Sequence, residues 1–159
     1  MSDDEAIARV RQALHDLGHE ADVTIAAEGT HTAEEAAAVA GCALGQIIKT
    51  LAVYVAGKPL LALVAGDRRL DDRLLAMRFG VGRKQVKLAT PEQVLALTGY
   101  PVGGVSPFGM RQRLPILLDA SLQRFSEVWV AAGTPNAILP LPLADLARYT
   151  DGEYADVAT

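Results

Sequence analysis

Apolar residues recur at helical spacing in several segments of the chain, and each segment follows a capping signal. Ile7, Val10, Leu14 and Leu17 are spaced three or four residues apart behind Ser2-x-x-Glu5. This pattern predicts an amphipathic helix that begins at a capping box and ends at Gly18. The same signals predict four further helices: residues 32–41 behind Thr32-x-x-Glu35, residues 71–79 before Gly80, residues 91–98 behind Thr90, and residues 143–148 before a polar tail.

Shorter apolar runs between these helices predict β-strands. Residues 46–55 and 60–65 flank the turn residues Ala56-Gly57-Lys58-Pro59, an arrangement typical of a β-hairpin. Further strands are predicted at residues 23–27, 86–88, 114–118, 128–131 and 138–141. The strands are neither grouped together nor in strict alternation with helices. We therefore predict an α+β fold in one domain over residues 1–159: a mixed, mostly antiparallel, barrel-like β-sheet surrounded by helices.

The composition indicates the number of domains and the cellular compartment. Half of the 159 residues are hydrophobic and 21% are charged, which is typical of one globular domain. The single cysteine, Cys42, excludes an internal disulfide and fits a reducing compartment. No apolar run approaches the ~20 residues of a membrane helix, and the start Ser2-Asp3-Asp4-Glu5 is too acidic for a signal peptide. We expect a cytoplasmic monomer that does not contact a membrane.

The charge distribution is uneven along the chain. The net charge is −4, yet residues 68–87 hold seven cationic and two acidic residues, a local charge of +5. Such a basic segment on an acidic protein can hold one phosphate backbone while discouraging nonspecific association. A solvated helix face with charge pairs is the alternative, and it is the more common explanation for such segments.

Lys49 is the one charge within the apolar run of a predicted strand. The two-residue period of a strand places it on the same face as Ile47, Leu51, Val53 and Val55. An ammonium on that face must reach solvent, find a partner or meet an anionic or ester-rich ligand. An edge-strand lysine that blocks aggregation is the alternative. The lack of an acid nearby in sequence favours a ligand.

A glycine-rich loop is the second candidate feature. Glycines allow a ligand to approach the main chain, and Pro107 restricts its own backbone and that of Ser106. The loop reads Gly103-Gly104-Val105-Ser106-Pro107-Phe108-Gly109. A tight connection after the preceding helix is the alternative, as a plain hairpin is for the turn at Gly133 between two predicted strands. Lys49 and the loop together predict a pocket of backbone groups and one cation.

Other chemistry has little support in the sequence. The histidines His15, His19 and His31 lack the spacing of a zinc site with Cys42. Ser106 lies outside the G-x-S-x-G pattern, and the chain contains neither a P-loop nor G-x-G-x-x-G. We expect no metal and no cofactor.

These motifs, in this order, resemble the YbaK/prolyl-tRNA synthetase-associated domain family of trans-acting aminoacyl-tRNA deacylases and editing domains. The resemblance runs over nearly the whole chain. It is carried by Thr30-His31-Thr32, Ile48-Lys49-Thr50-Leu51, Thr98-Gly99-Tyr100, the loop from Gly103 to Gly109, Leu114-Pro115 before Asp119, and Ala132-Gly133. It implies the family's barrel-like editing-domain fold and hydrolysis of the ester that joins a wrong amino acid to tRNA, most simply tRNA for proline.

The resemblance also implies roles for individual residues. Lys49 matches the family's functional lysine, expected to hold the terminal adenosine near its phosphate or ribose, and Gly103 begins the loop expected to position the ester and a water. The other residues expected to bind substrate are Thr30, Thr50, Gly104, Ser106, Pro107, Phe108, Gly109 and Gly133. The expected contacts with the tRNA backbone are Arg68, Arg69, Arg83 and Lys84. The expected partners are aminoacyl-tRNA and an aminoacyl-tRNA synthetase.

The amino acid to be removed is less sharply indicated. After Gly133 the chain has Thr134-Pro135-Asn136-Ala137, which departs from the patterns of the synthetase-embedded and cysteine-editing members. Small residues such as Ala131 and Ala132 favour alanine or a close relative. Two alternatives stay open: a module that binds aminoacyl-tRNA or a synthetase without turnover, and a small-molecule hydrolase or nucleotide binder that reuses the pocket.

Overall fold

Eight β-strands form two sheets in the computed structural model, which describes residues 2–27 and 32–159. One sheet has the order β1-β7-β6 and the other β4-β2-β3-β5-β8. The strands are β1 (Thr24–Ile25), β2 (Ile48–Val55), β3 (Lys58–Ala65), β4 (Val86–Leu88), β5 (Ile116–Asp119), β6 (Glu127–Ala131), β7 (Ala137–Pro142) and β8 (Glu153–Ala155); the helices are α1 (Asp3–Asp16), α2 (Ala33–Ala40), α3 (Asp72–Phe79), α4 (Pro91–Thr98) and α5 (Leu143–Thr150).

The pairing of these strands is mixed and mostly antiparallel. β3 runs parallel to β5, and β5 parallel to β8, whereas the other neighbours within each sheet are antiparallel. A parallel bridge between Ile47 and Trp129 links the two sheets. The predicted α+β class is therefore confirmed. The described strands remain two linked sheets, without the closed hydrogen-bonded ring of a barrel.

The five-stranded sheet is buried on both faces, which explains its apolar strands. Leu61, Leu63 and Ala65 of β3 belong to the main core beneath the second sheet and α1. Leu60, Ala62 and Val64 alternate with them and pack in a second cluster with Leu75 of α3. A strand enclosed on both faces needs apolar residues at every position. At about 25 cal/mol per Å² of apolar surface, this burial is the main source of stability.

The capping signals locate the helices accurately. Ser2, Thr32 and Thr90 accept hydrogen bonds from the backbone N–H three residues ahead, at 3.2, 3.1 and 3.2 Å. The hairpin turn is also confirmed, with Ala56 at φ 49° and Gly57 at φ 81°, as a tight primed turn requires. No helix within the described residues is long and apolar enough to cross a membrane.

One predicted strand is longer than the structure shows, and one strand was not predicted. The strand expected over residues 23–27 contains two residues only, β1, since it pairs just with Ile138 and Ala137 of β7. The segment expected to be a polar tail instead contains β8, which lies parallel to β5 at the edge of the larger sheet. Edge strands need few apolar residues, so the polar sequence around Tyr154 concealed this one.

Candidate functional site

The larger sheet has a gap beside β2, and Thr50 lies in it. On this side of β2, the strand β4 reaches as far as Ala52, whose carbonyl accepts from the N–H of Ala89 at 2.9 Å. At the other end, Ile47 pairs with Trp129 of β6. Backbone groups two residues apart on a strand point to the same side. The N–H and C=O of Thr50 therefore face the space where β4 and β6 diverge.

A cavity of about 220 Å³ borders this gap. Its walls come from α2, from β2, from the glycine-rich loop and from the end of β6 with the turn that follows. The lining residues are Thr32, Ala33, Ala36, Ile47, Ile48, Lys49, Thr50, Leu51, Val102, Gly103, Val105, Trp129, Ala131, Pro135 and Ile138. The fold thus brings Lys49 and Gly103 to one cavity although they are distant in sequence.

The hydroxyl of Thr50 is an unsatisfied group at this cavity. Among the described residues, Thr50 Oγ1 is the one buried side-chain nitrogen or oxygen without a hydrogen-bond partner. Leaving a buried polar group unpaired costs about 1–3 kcal/mol. A polar ligand or water that reached Thr50 Oγ1 would remove this cost.

Lys49 lies between the cavity and a neighbouring hollow. Its Nζ donates to the carbonyl of Arg68 at 2.5 Å, which occupies one of the three N–H groups of the ammonium. The neighbouring hollow, of about 410 Å³, is lined by Lys49 together with Asp67, Arg68 and Arg69. Its cations can receive an anionic part of a ligand whose other end enters the first cavity.

Arg68 and Arg69 line the same hollow as Lys49. Within residues 2–27 and 32–159, no carboxylate lies within ion-pair distance of either guanidinium. The neighbouring Asp67 is instead bound by Arg124, which lowers the pKa of this carboxyl through two hydrogen bonds. The hollow thus has three cations, Lys49, Arg68 and Arg69, against two carboxylates, Glu34 and the Asp67 that Arg124 already holds.

The other two expected tRNA contacts lie at the opposite end of β2. Arg83 and Lys84 belong to a short 3-10 turn before β4, and Gln85 of that turn pairs with Ala56 at the hairpin. Six residues of strand separate Lys49 from this end, roughly 20 Å. Arg83 is also paired with Asp72 at 2.9 Å. The basic segment thus forms two separate groups, because the strands carry its ends apart.

The glycine-rich loop reaches the cavity with its first half. Gly103 is exposed and adopts φ 85°, a conformation that favours glycine. Gly104 has no room for a side chain: a Cβ there would lie 2.7 Å from the Thr134 Cα. The backbone of Gly104 therefore packs directly on the backbone of Thr134. This contact attaches the loop to the turn after β6 and holds Gly103 at the cavity.

The second half of the loop is packed into the interior. Ser106 Oγ accepts from the Phe108 N–H at 3.1 Å, and the Tyr100 hydroxyl donates to the Phe108 carbonyl at 2.6 Å. Burial raises the pKa of Tyr100 to about 12, which keeps this donor protonated. Pro107 and Gly109 border a different hollow. None of these four loop residues lines the cavity that holds Lys49, so substrate contact by them stays a prediction.

Gly133 does not line the cavity either, and a side chain at this position would point towards α1. It adopts φ 102°, and a Cβ there would lie 2.9 Å from the carbonyl carbon of Ala6 in α1. Its neighbours Ala131 and Pro135 line the cavity instead. Thr30, the remaining expected substrate contact, lies outside the described residues.

A larger hollow of about 600 Å³ lies at the far end of β3, lined by residues such as Lys58 and Pro115. Two of its cations are already paired: Arg78 lies 2.6 Å from Glu153 and Arg113 lies 3.8 Å from Asp151. The smaller cavity, with its unpaired hydroxyl and converging backbone groups, is the better candidate.

Sequence reasoning missed several walls of that cavity. Trp129 lines it from β6 beside Ala131; of these two, the sequence pointed only to Ala131, and the alternation of Trp129 with buried Val128 and Val130 was the available signal for Trp129. The helix α2 contributes Ala33 and Ala36, for which the sequence offered no signal.

The chemistry open to the site follows from its lining. Lys49 is the one titratable side chain among the described lining residues, so no carboxylate or imidazole there serves as a general base. Backbone dipoles, two hydroxyls and one ammonium can orient a polar ligand and stabilise a developing negative charge. This arrangement suits a substrate that is already activated and needs mainly positioning.

Comparison with known proteins identifies the family. Residues 27–149 match the model of the aminoacyl-tRNA editing domain. The chain belongs to the aminoacyl-tRNA editing domain family. This match covers most of the chain, including β2, the glycine-rich loop and every described wall of the cavity.

Relatives of this editing domain occur alone and within synthetases. It is 34% identical over 130 residues to the "Putative Cys-tRNA(Pro)/Cys-tRNA(Cys) deacylase EbsC" of Enterococcus faecalis, covering 80% of this chain and 77% of that protein. It is 37% identical over 131 residues to the proline–tRNA ligase of Solidesulfovibrio magneticus, where the match covers 80% of this chain but only 22% of the ligase.

A solved structure shows the same fold. The "Crystal structure of a putative trans-editing enzyme for prolyl tRNA synthetase" matches this editing domain with a TM-score of 0.90 and 36% identity, covering 97% of both chains. The predicted family fold is therefore confirmed along nearly the whole chain.

Proposed function

We propose that this editing domain is a trans-acting deacylase that hydrolyses the ester of mischarged tRNA, with tRNA for proline carrying a small amino acid as substrate. The observation that supports this most directly is the shared cavity of Lys49 and Gly103. A cation beside it suits the phosphate or ribose of the terminal adenosine. The backbone groups at its opening suit the ester.

In this proposal Lys49 is an electrostatic anchor. Its ammonium holds the terminal adenosine while the Arg68 carbonyl fixes the side chain. The Gly103 backbone orients the ester and a water. The water oxygen attacks the ester carbonyl, the acyl–oxygen bond breaks, and the ribose oxygen leaves with a proton. The neighbouring ribose hydroxyl of the substrate assists proton transfer, because the described lining offers no general base.

The small cavity supports selection of a small amino acid. Ala33, Ala36 and Ala131 line it together with Pro135, and a second, smaller site excludes correctly charged larger residues. Such a site is needed because one methylene is worth only ~1–3 kcal/mol in a synthetase pocket. We propose alanine as the amino acid. Cysteine is the second candidate, because the name of the Enterococcus relative specifies Cys-tRNA.

A panel of mischarged tRNAs tests the proposal. We expect rapid loss of the ester from alanyl-tRNA for proline, with slower loss from the cysteinyl and seryl forms and little from prolyl-tRNA, measured by release of labelled amino acid. Faster hydrolysis of cysteinyl-tRNA than of alanyl-tRNA would replace alanine by cysteine. Binding of tRNA without ester loss from any of these substrates would support the non-catalytic module instead.

The two basic groups lead to a prediction for tRNA affinity. Reversal of both Arg68 and Arg69 to Glu should reduce the magnitude of the negative slope of log K against log salt by about 1.4–1.8, because each lost phosphate contact contributes about 0.7–0.9. Reversal of Arg83 and Lys84 should also weaken binding and flatten the slope, but less, since Arg83 is already paired with Asp72. Fluorescence anisotropy with labelled tRNA at several salt concentrations measures both. An unchanged slope would exclude the altered pair from the interface.

A further inference from the structure

Arg124 forms a two-pronged ion pair with Asp67. Its Nη1 and Nη2 donate to the two carboxylate oxygens of Asp67, each at 2.8 Å, and its Nε donates to the Ser121 carbonyl at 2.7 Å. The guanidinium also lies 4.9 Å from the ring centre of Phe125. Bidentate geometry of this kind is specific as well as strong. It leaves Asp67 with no oxygen free of a partner.

The ion pair lies against the segment that leads into β2. A Cβ at Gly45 would be 3.0 Å from both Arg124 Nη2 and Asp67 Oδ1. A Cβ at Gly66 would be 2.4 Å from the Leu44 carbonyl. The turn after β3 and the segment before β2 are thus in direct contact, and at Gly66 a side chain would collide with backbone. Movement of Asp67 would therefore displace the segment that leads into β2.

Asp67 and Lys49 share the hollow of about 410 Å³, and the residue after Asp67 supplies the carbonyl that receives the Lys49 ammonium. The C-terminal end of the turn after β3 is also fixed, because Arg69 and Thr159 exchange two backbone hydrogen bonds of 2.8 Å. The backbone of the turn is thus held on this side, whereas the Asp67 side chain within it is held by the ion pair with Arg124.

We propose that Arg124 is a positioning residue for Lys49: by occupying both oxygens of Asp67, it prevents this carboxylate from pairing with the Lys49 ammonium and keeps the Arg68 carbonyl in place. This inference rests on the proposed function insofar as Lys49 holds the RNA 3′ end. Without Arg124, a carboxylate in the shared hollow competes with the substrate's anionic group for Lys49. Arg124 itself lines neither cavity, so it acts only through other residues.

The first test is the substitution Arg124→Met, which keeps a long apolar side chain over Phe125 and removes the charge. We expect kcat/KM for deacylation to fall about tenfold, mainly through a higher KM. The reason is that Lys49 binds the RNA equally in the ground state and in the transition state. Arg148→Met is the matched control: Arg148 also pairs with an aspartate, Asp145, at 2.8 Å and also lies over an aromatic ring, that of Tyr149, at 5.0 Å. We expect this control to retain wild-type kinetics.

The second test separates positioning from simple structural support. In the double variant Asp67→Asn/Arg124→Met the Asp67 carboxylate is absent, while Glu34, the other carboxylate in the hollow, is the same in every variant. We therefore expect kcat/KM to recover to within about threefold of wild type. A merely structural role of the ion pair predicts the opposite, a double variant at least as impaired as Arg124→Met. Arg124→Lys, which keeps the charge but loses the planar two-pronged geometry, should be intermediate, and it replaces Arg124→Met if that variant does not fold.

The third test does not depend on the proposed function. The lysine ammonium signals of the protein are recorded by ¹H–¹⁵N correlation NMR, with Lys49 assigned by its loss in Lys49→Ala. We expect the Lys49 signal to shift in Arg124→Met and to be unchanged in Arg148→Met. A shift without deacylation of any tRNA would support the positioning inference and contradict the proposed function. An unchanged Lys49 signal, or a double variant without recovery, would overturn the inference.

Discussion

The substitution Lys49→Ala is expected to lower kcat/KM for ester hydrolysis at least a hundredfold without unfolding the protein. The ammonium is the one charged group among the described lining residues of the cavity, so no neighbour can replace it there. Loss of a positioned charge or donor of this kind costs about 10²–10³ in rate. Single-turnover hydrolysis of mischarged tRNA, with enzyme in excess and at several enzyme concentrations, measures the effect on binding and on the chemical step separately.

Stability should change little in the same variant. Lys49 is half-buried and makes one hydrogen bond, to the Arg68 carbonyl, and such a bond contributes about 0.5–1.5 kcal/mol. Urea denaturation should therefore give a free energy of unfolding close to that of wild type. Lys58→Ala is the matched control, since Lys58 belongs to the same hairpin but lies at its other end, opposite Val55. Full activity in Lys49→Ala would remove Lys49 from the mechanism.

The substitution Gly104→Ala is expected to lower activity about a hundredfold and to destabilise the protein by about 1–3 kcal/mol. The added Cβ would lie 2.7, 2.8 and 2.9 Å from three backbone atoms of Thr134, and backbone cannot yield as a flexible side chain does. The loop must therefore move away from the turn after β6, and Gly103 moves with it. Kinetics at saturating substrate and thermal unfolding measure the two effects.

Two other glycines make this result interpretable. Gly82→Ala is the neutral control, because its backbone is not left-handed and a Cβ there meets nothing within 4 Å. Gly103→Ala adds a Cβ with room, 3.7 Å from Pro135, but at φ 85°, so it introduces backbone strain of about 1–3 kcal/mol without the clash. If Gly104→Ala retained wild-type activity, contact between the loop and the turn would not be needed for catalysis.

Local signals accounted for most of the secondary structure. The three capping boxes and the glycines after α2, α3 and α4 marked helix ends that the structure confirms. These signals are reliable because a few adjacent residues determine the geometry of a helix end. The failures were β1 and β8, short strands at sheet edges. Their existence depends on partners distant in sequence, so local pattern carries little information about them.

The candidate site shows the same division. Lys49 and Gly103 were recognised from their own surroundings, a charge in an apolar strand and a glycine in a constrained loop. The functions expected for Ser106, Phe108 and Gly133 were drawn from motif membership, and their side chains or α-carbons face the interior or α1. A motif specifies the order of residues, whereas the direction in which each one points is set by packing.

The sequence by itself determined the helices with their caps, the central hairpin and the lysine at its start, because each of these depends on residues close together in the chain. It also determined the family, through the order of several short motifs along the chain. Only the tertiary structure decided that the sheet opens beside Thr50, that Arg68 and Arg69 lie with Lys49 while Arg83 and Lys84 lie at the other end of β2, and that Arg124 holds Asp67. These features arise where strands diverge and where segments separated by tens of residues meet, so their geometry follows from the packing of the whole chain.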